Sequence, residues 1–433
     1  MNRWALVGLV MGLLAAGVLY DRVDLAPVPD PSTVGEPVVT PALRSADRLS
    51  NVWFCPIGSG AAGGYATHQL AISNLSDAPA TAAIDLVTGD GPGPGLEVAV
   101  APFSTEVIDV AALDPAPSLG AVVEVSGGLG VVGHTVTTQG GITQGPCSTE
   151  TADRWFYADG VTTRDAVAFV ALLNPFPEDA VFTMTFQSPT RTREPLDLKR
   201  AVVPGGSVRV VNIGEFVTRE PNVATTIVVE RGQLAVERLQ IFDGTLGPRG
   251  SALQLAVAEP SSQWTLPSGR VHEGGDHRLA IFNPTETVAE VDVEFDLEPV
   301  DRAAYGLVPI EVSVPPGRSV VLDLRGILTS FGLPLPYDVG LRVQSANDVP
   351  VVAERWQVTP AIDTTLIGAG GADARIVRGR QSDAEPGEVS EEDIEVAPVP
   401  AAAQPTATIG VASSRGVEVS STRWIVPWVE LGG

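Results

Sequence analysis

Hydrophobic and polar positions alternate along much of this chain in short runs. Phe182, Met184 and Phe186 alternate with Thr183, Thr185 and Gln187, and Val291, Val293, Phe295 and Leu297 alternate with Asp292, Glu294, Asp296 and Glu298. A period of two buries one face of a strand and wets the other. The runs are short and broken by turns of one kind, Ala101-Pro-Phe-Ser104, Val203-Pro-Gly-Gly-Ser207 and Val314-Pro-Pro-Gly-Arg-Ser319. Many strands joined by turns are therefore expected, and not long helices.

The runs also repeat. A Trp opens each set, in Trp53-Phe-Cys-Pro56, Trp155-Phe-Tyr-Ala158, Trp264-Thr-Leu-Pro267 and Trp424-Ile-Val-Pro427. A strand ending in Asn follows, at Asn74, Asn174 and Asn283, so the period is about a hundred residues, the size of a sandwich domain. Later strands carry an acid or amide in matching places, Asp109, Asn212 and Asp323. Each set closes on a related strand: Gly130–Thr138, Gln233–Phe242 and Val349–Val358, with Glu237 and Glu354 at one position and His134 read as their replacement in the first set. The last two runs of each set, for example Val339–Ser345 and Val349–Val358, read as a hairpin, giving about seven strands per set. The expected fold is all-β: three tandem immunoglobulin-like β-sandwich modules over 51–150, 151–260 and 261–433. Within the third, an acidic and Pro/Ala-rich stretch at about 371–405 reads as a disordered insertion. After it, Ile409–Trp424 resumes the pattern of Leu253–Trp264, and the Trp424 strand is expected to complete the third sheet.

The Trp-x-x-Pro openings, the Asn174-Pro175 and Asn283-Pro284 strand ends, the Val-Pro-Pro-Gly turn and Pro-Val-Val-Ala-Glu-Arg together resemble a family of actinobacterial exported proteins, domain of unknown function 5719. The resemblance covers about Trp53 to Gly433. It implies an exported, envelope-located protein of immunoglobulin-like character and carries no activity or catalytic residues to transfer.

The N-terminus agrees with export. An unbroken apolar run from Trp4 to Tyr20 follows Arg3, and residues 1–20 read as a signal anchor, with a cleaved signal and secretion as the alternative. The Pro-rich residues 21–50 read as a stalk. There are two cysteines, Cys55 and Cys147, near the opening and close of the first module, where an oxidising compartment would join them. Such a loop closure contributes roughly 4–5 kcal/mol in the chain-entropy view. No C-x-x-C points to redox chemistry.

Charge narrows the partners. A formal net charge of −25 lacks the basic stripe that a nucleic acid requires and disfavours anionic headgroups. A partner, if any, is an envelope protein or a cell-wall glycan.

Candidate chemistry is thin. Of His68, His134, His272 and His277, the run His272-Glu-Gly-Gly-Asp-His277 has metal-ligand residue types, yet His68 and His277 share a repeat position that Ala168 fills in the second module. An exposed Gly-rich turn is the simpler reading, and no metal or cofactor is expected. On a strand, Glu237 and Arg238 point to opposite faces, as do Glu354 and Arg355, so neither pair can close on itself. A structural role is expected, with one residue of each pair inward and bonded to the repeated Asn or Asp. No Gly-x-Ser-x-Gly or Ser-x-x-Lys motif is present. The Gly-rich runs 58–64 and 89–95 lack the Lys of a phosphate loop. The repeated Trp residues are expected in cores or between modules. The reading is a non-enzymatic, membrane-anchored binding or scaffolding rod; the alternative is an enzyme or accessory acting on cell-wall polysaccharide, with Asp323 or Glu354 in a cleft.

Overall fold

The structure, a computed structural model, describes residues 50–358 apart from 247, 267–268, 274 and 298–304, together with 411–415 and 417–418. The expected anchor, the stalk, the acidic stretch and Trp424 lie outside the described residues.

The chain is mostly strand, arranged as three similar blocks. The first contains β1 (Ser50–Cys55), β2 (Gln69–Asn74), β3 (Ala80–Thr88), β4 (Gly91–Val100), β5 (Thr105–Asp109), β6 (Leu119–Ser126), β7 (Gly130–Thr138) and β8 (Gly141–Pro146). The second contains β9 (Arg154–Tyr157), β10 (Ala166–Asn174), β11 (Ala180–Gln187), β12 (Thr192–Arg193), β13 (Ala201–Val203), β14 (Ser207–Asn212), β15 (Ala224–Arg231), β16 (Ala235–Asp243) and β17 (Arg249–Leu255). The third contains β18 (Gln263–Leu266), β19 (Arg270–Val271), β20 (Asp276–Asn283), β21 (Ala289–Asp296), β22 (Ile310–Val314), β23 (Arg318–Asp323), the helix α1 (Leu324–Ser330), β24 (Tyr337–Asp338), β25 (Gly340–Ser345), β26 (Val352–Val358), β27 (Val411–Arg415) and β28 (Val417–Glu418).

Each block pairs its main strands into two antiparallel sheets in one order, and the third adds the two-stranded β19-β24. The opening sheets run β1-β6-β3-β4, β9-β15-β11-β12 and β28-β18-β25-β21-β22; the second sheets run β5-β2-β7-β8, β14-β10-β16-β17 and β23-β20-β26-β27. In the immunoglobulin constant-type order the first strand lies beside the second and the last beside the sixth. Here the opening strand β1 lies beside β6, and β7 lies beside β2.

This order corrects the hairpin expectation. β25 and β26 are consecutive but belong to different sheets, β25 pairing with β18 and β21, and β26 with β20 and β27. Their burial patterns give the reason. β25 buries alternate residues, whereas the described side chains of β26 from Val352 to Trp356 are all buried, because that sheet carries apolar neighbours on both faces. The connection therefore crosses between layers, and the first block holds eight strands where about seven were expected.

Apolar cores fill each block and also the spaces between blocks. Trp53, Leu70, Ile84, Val123 and the Cys55–Cys147 disulfide lie in the first core, and Trp155, Val170, Phe182 and Val236 in the second. Ile57, Val87 and Val136 of the first block join Leu173, Leu239 and Ile241 of the second in a separate cluster. The third core takes in Phe156, Ala158, Ala224 and Val257 of the second block. Each second sheet after the first is thus covered on both faces.

The first block's uncovered face shows the converse. Where the second block places Phe169, Leu173, Val208, Leu239, Ile241 and Leu253 toward its neighbour, register equivalents in the first are Gln69, Ser73, Thr105, Thr135, Thr137 and Gln144. A stacked array needs a polar outer face on its terminal unit, and this block has one.

Candidate functional site

The residues singled out by repetition fall into three structural jobs. The first belongs to the Asn that ends the second strand of each block. Asn74 Nδ2 donates to the carbonyls of Ala78, Val100 and Ala101, Asn174 Nδ2 to those of Glu178, Val203 and Pro204, and Asn283 Nδ2 to those of Thr287 and Val314. Each Asn ties two turns together at one end of its block, satisfying carbonyls that burial would otherwise leave unpaired. The second job is helix capping. Asn212 Oδ1 accepts from Gly214 N–H at 3.0 Å, and Asp323 Oδ1 accepts from Gly326 N–H at 3.1 Å at the start of α1. Asp109 holds the same place without a side-chain cap bond. Of the repeated Trp residues, Trp53, Trp155 and Trp264 are buried, with Trp155 Nε1 donating to Leu234 O at 2.9 Å and Trp264 Nε1 to Val351 O at 2.8 Å.

The third job gathers the buried charges. Strand register places Gly133, Glu237 and Glu354 opposite Ala71, Ala171 and Ala280, and His134, Arg238 and Arg355 opposite Leu70, Val170 and Leu279. His134 is therefore the counterpart of the two arginines; the sequence reading placed it one residue out, with Gly133 the true equivalent of the glutamates. The correction makes sense of the pairing. Glu237 Oε1 lies 2.8 Å from His134 Nε2 of the preceding block, and Glu354 Oε1 pairs with Arg238 Nη2 of the preceding block. The first block has no block before it among the described residues, and it carries glycine in the acid's place. Where a bond from one member of each pair to a repeated Asn or Asp was expected, the glutamates meet the bases of the preceding block.

Each base also sits in a niche of its own block. His134 Nδ1 faces His68 Nε2 at 3.3 Å, and His68 Nδ1 donates to Leu119 O at 3.1 Å. Arg355 Nε donates to His277 Nε2 at 2.7 Å, and its Nη1 and Nη2 to the carbonyls of Val339 and Gly269 at 2.7 and 3.0 Å. In the second block Ala168 leaves that corner empty, and Arg238 instead lies 4.6 Å from the Tyr157 ring centroid and 5.2 Å from that of Trp356. Its Nη1 donates to Asp159 O, and Arg278 Nε of the third block is 3.1 Å from Asp159 Oδ2, an ion pair without hydrogen-bond alignment.

The first junction is a chain of contacts. Neutral His68, donating from Nδ1 to the Leu119 carbonyl, offers Nε2 as acceptor to His134 Nδ1, and His134 Nε2 meets Glu237 Oε1. Burial, followed by the neighbouring His134, pushes His68 down to about 3. Burial, then the Arg355 charge, pushes His277 down to about 3 as well, and burial lowers Arg355 to about 10.

The expected exposed turn at His272–His277 is thus half right, since His272 is partly exposed while His277 is buried on β20. Among the described residues no group of three or more His, Cys, Asp or Glu side chains is placed to hold a metal ion. The carboxylates nominated for glycan chemistry are engaged, Glu354 with Arg238 and Asp323 with the Gly326 amide. Sequence reasoning singled out Arg238 without its partner and missed Asp159, Arg278 and Tyr157. The available signal was the Glu-Arg dipeptide recurring with both members in strands of apolar flank.

The fold and its shared polar groups define an all-β chain whose repeated charges lock one block to the next. The profile of a family of unknown function, DUF5719, matches residues 134–423, and the chain belongs to that family. A search of curated proteins finds no match. One solved structure is similar in a loose sense, an α-L-rhamnosidase from Streptomyces avermitilis crystallised with L-rhamnose, at 10% identity, with 73% of this chain and 46% of that enzyme covered. This chain spans less than half of that enzyme, and the TM-score of 0.13 supports no argument from it.

Proposed function

We propose that this protein is a membrane-tethered, extracytoplasmic array of three immunoglobulin-like modules that binds or scaffolds other components of a bacterial cell envelope. The tether is the apolar run Trp4–Tyr20, which lies outside the described residues; among the described residues no helix is long and apolar enough to cross a membrane. The modules are immunoglobulin-like in size and sandwich construction, with the first and seventh strands exchanged between sheets. The observation that carries the reading is the use of Glu237, Glu354, His68, His134 and His277 inside the fold, which leaves these groups no solvent-facing chemistry to perform. Polysaccharide cleavage would need two carboxyl groups flanking a substrate groove. Glu354 is buried against Arg238, and Asp323 caps the start of α1.

The test is chemical crosslinking in envelope membranes of cells that make the tagged full chain, followed by capture and identification of proteins and glycans. A reproducible partner lost on deleting residues 50–358 is expected. Capture of no protein and no glycan would sink the binding reading, and hydrolysis of purified cell-wall glycan by the chain would replace it.

A further inference from the structure

One turn of the first block breaks the rule that its two counterparts keep. Strand register makes Phe103 the counterpart of Gly206 and Gly317 in the later blocks, and all three have positive φ, 50°, 65° and 61°. The turn closes alike in the first two blocks, where Phe103 N–H donates to Ser76 O and Gly206 N–H to Phe176 O; in the third, Gly317 N–H donates to Asn283 O, two residues earlier in the repeat. Glycine takes this conformation freely, whereas a side chain there is strained. The first block nonetheless places a phenylalanine there and leaves it 73% exposed.

Its surroundings are apolar too. Leu75 is 38% exposed beside it, and Ala78, Pro79, Ala101 and Pro102 are exposed on the same two turns. Asp77 is the one charge on these turns, whereas the matching turn of the second block carries Glu178 and Asp179, and that of the third carries Glu286. A strained backbone that holds out an apolar side chain points to a use for that side chain. This end of the block is also where the chain enters. Ser50 pairs with Ser126, Ser126 with Thr81, and Ala80 with Val100, so β1 starts in the row of the sheet that runs into the Phe103 turn.

We propose that the Leu75–Phe103 tip inserts into the uncharged lipid–water interface, holding the first block against the membrane. This deepens the proposed function and rests on its tether. The tether alone would let the block turn; the tip's exposed apolar residues, with Asp77 as their one charge in a chain of net charge −25, select this end, and that acidic charge favours zwitterionic over anionic lipid.

The test uses the full chain in phosphatidylcholine vesicles. Cys55 and Cys147 are joined, so Phe103→Cys gives a single thiol for a nitroxide, and Leu246→Cys, a position 68% exposed in the second block, gives a control. Power saturation should show the label at 103 several-fold more accessible to oxygen, relative to a nickel chelate, than the label at 246. A label at Leu75→Cys with Phe103 kept should read the same depth and lose it when Phe103→Asp is added, with circular dichroism unchanged. Equal accessibility at 103 and 246 overturns the proposal, as does protection of 103 that appears only when envelope protein is added. If the chain fails to float with the vesicles at all, the tether has failed, and the tip is then judged by flotation of wild type against Phe103→Asp with vesicles in excess; no flotation of wild type overturns it.

Discussion

Glu237 and Arg238 are adjacent on β16 and look in opposite directions along the array. Glu237 reaches back to His134 of the first block, and Arg238 reaches forward to Glu354 of the third. All four side chains are buried. Removing one partner of such a pair leaves a charge in the interior, at a cost of about 3–5 kcal/mol, while replacing both with apolar groups of similar volume is often neutral. Glu354→Ala should therefore lower stability by about 3–5 kcal/mol, read as the denaturant midpoint, and Arg238→Met with Glu354→Leu should recover most of it. A double variant as unstable as the single would show that the pair is not the source of the loss.

Acid should loosen the fold through two histidines. His68 and His277 are ordinarily near 6.5 and are pushed down to about 3 in the folded protein. Between those values the unfolded chain binds protons that the folded chain does not, so stability falls as pH drops from about 6.5 towards 3. Each histidine adds up to about 1.4 kcal/mol per pH unit in that window. Urea midpoints at pH 8, 6.5, 5.5 and 5 check this before the carboxylates join in. His277→Ala should lower the midpoint at pH 8, because Arg355 loses a partner, and should roughly halve the slope below pH 6.5. An unchanged slope would place the acid sensitivity elsewhere.

The fold was legible where a position repeats and its neighbours stay local. The Trp openings, the Asn strand ends and the period-two runs mark strands correctly because one face of each is apolar and the other polar. The crossing of β25 to β26 was not legible. A β26 side chain is buried on either face, so its sequence gives no sign of which sheet it joins. The junction chemistry failed for a related reason. His134 was aligned by sequence one place from its register position, and only the pairing of Leu70 with His134 and of Ala71 with Gly133 shows that the acid is missing in the first block. Which charge meets which depends on contacts about a hundred residues apart, and these leave no local pattern.

Three equivalent glycines should prove sensitive for the same niche. Leu119, Val223 and Val339 N–H groups donate to the carbonyls of Gly58, Gly160 and Gly269, which places those glycines together in the repeat. A Cβ on Gly58 would lie 2.5 Å from His68 Cβ, and one on Gly269 would lie 2.4 Å from the Arg355 guanidinium carbon, while one on Gly160 meets Val223 O at 3.0 Å and the Arg238 guanidinium only at 3.7 Å. Overpacking of this kind costs about 1–3 kcal/mol. Gly58→Ala and Gly269→Ala should each lose stability in that range and Gly160→Ala less, compared by thermal midpoint. The reverse order would mean that the imidazole and guanidinium are not held against these backbones.

The Phe103 turn predicts an unusual sign. Replacing an exposed phenylalanine with glycine ordinarily lowers stability slightly, because the unfolded chain gains freedom. At a φ of 50° the folded state instead sheds steric strain of about 1–2 kcal/mol, and a side chain 73% exposed gives up little burial. Phe103→Gly should therefore raise stability by about 1 kcal/mol in detergent, away from any bilayer. Gly317→Ala is the mirror experiment. Its Cβ would meet nothing within 4 Å, so the φ of 61° is the one thing it can offend, and a loss of about 1–2 kcal/mol is expected. Agreement in size and opposition in sign between the two would show that the first block gives up stability to hold Phe103 outward. If Phe103→Gly destabilises instead, the phenylalanine contributes packing, and its exposure needs no functional account.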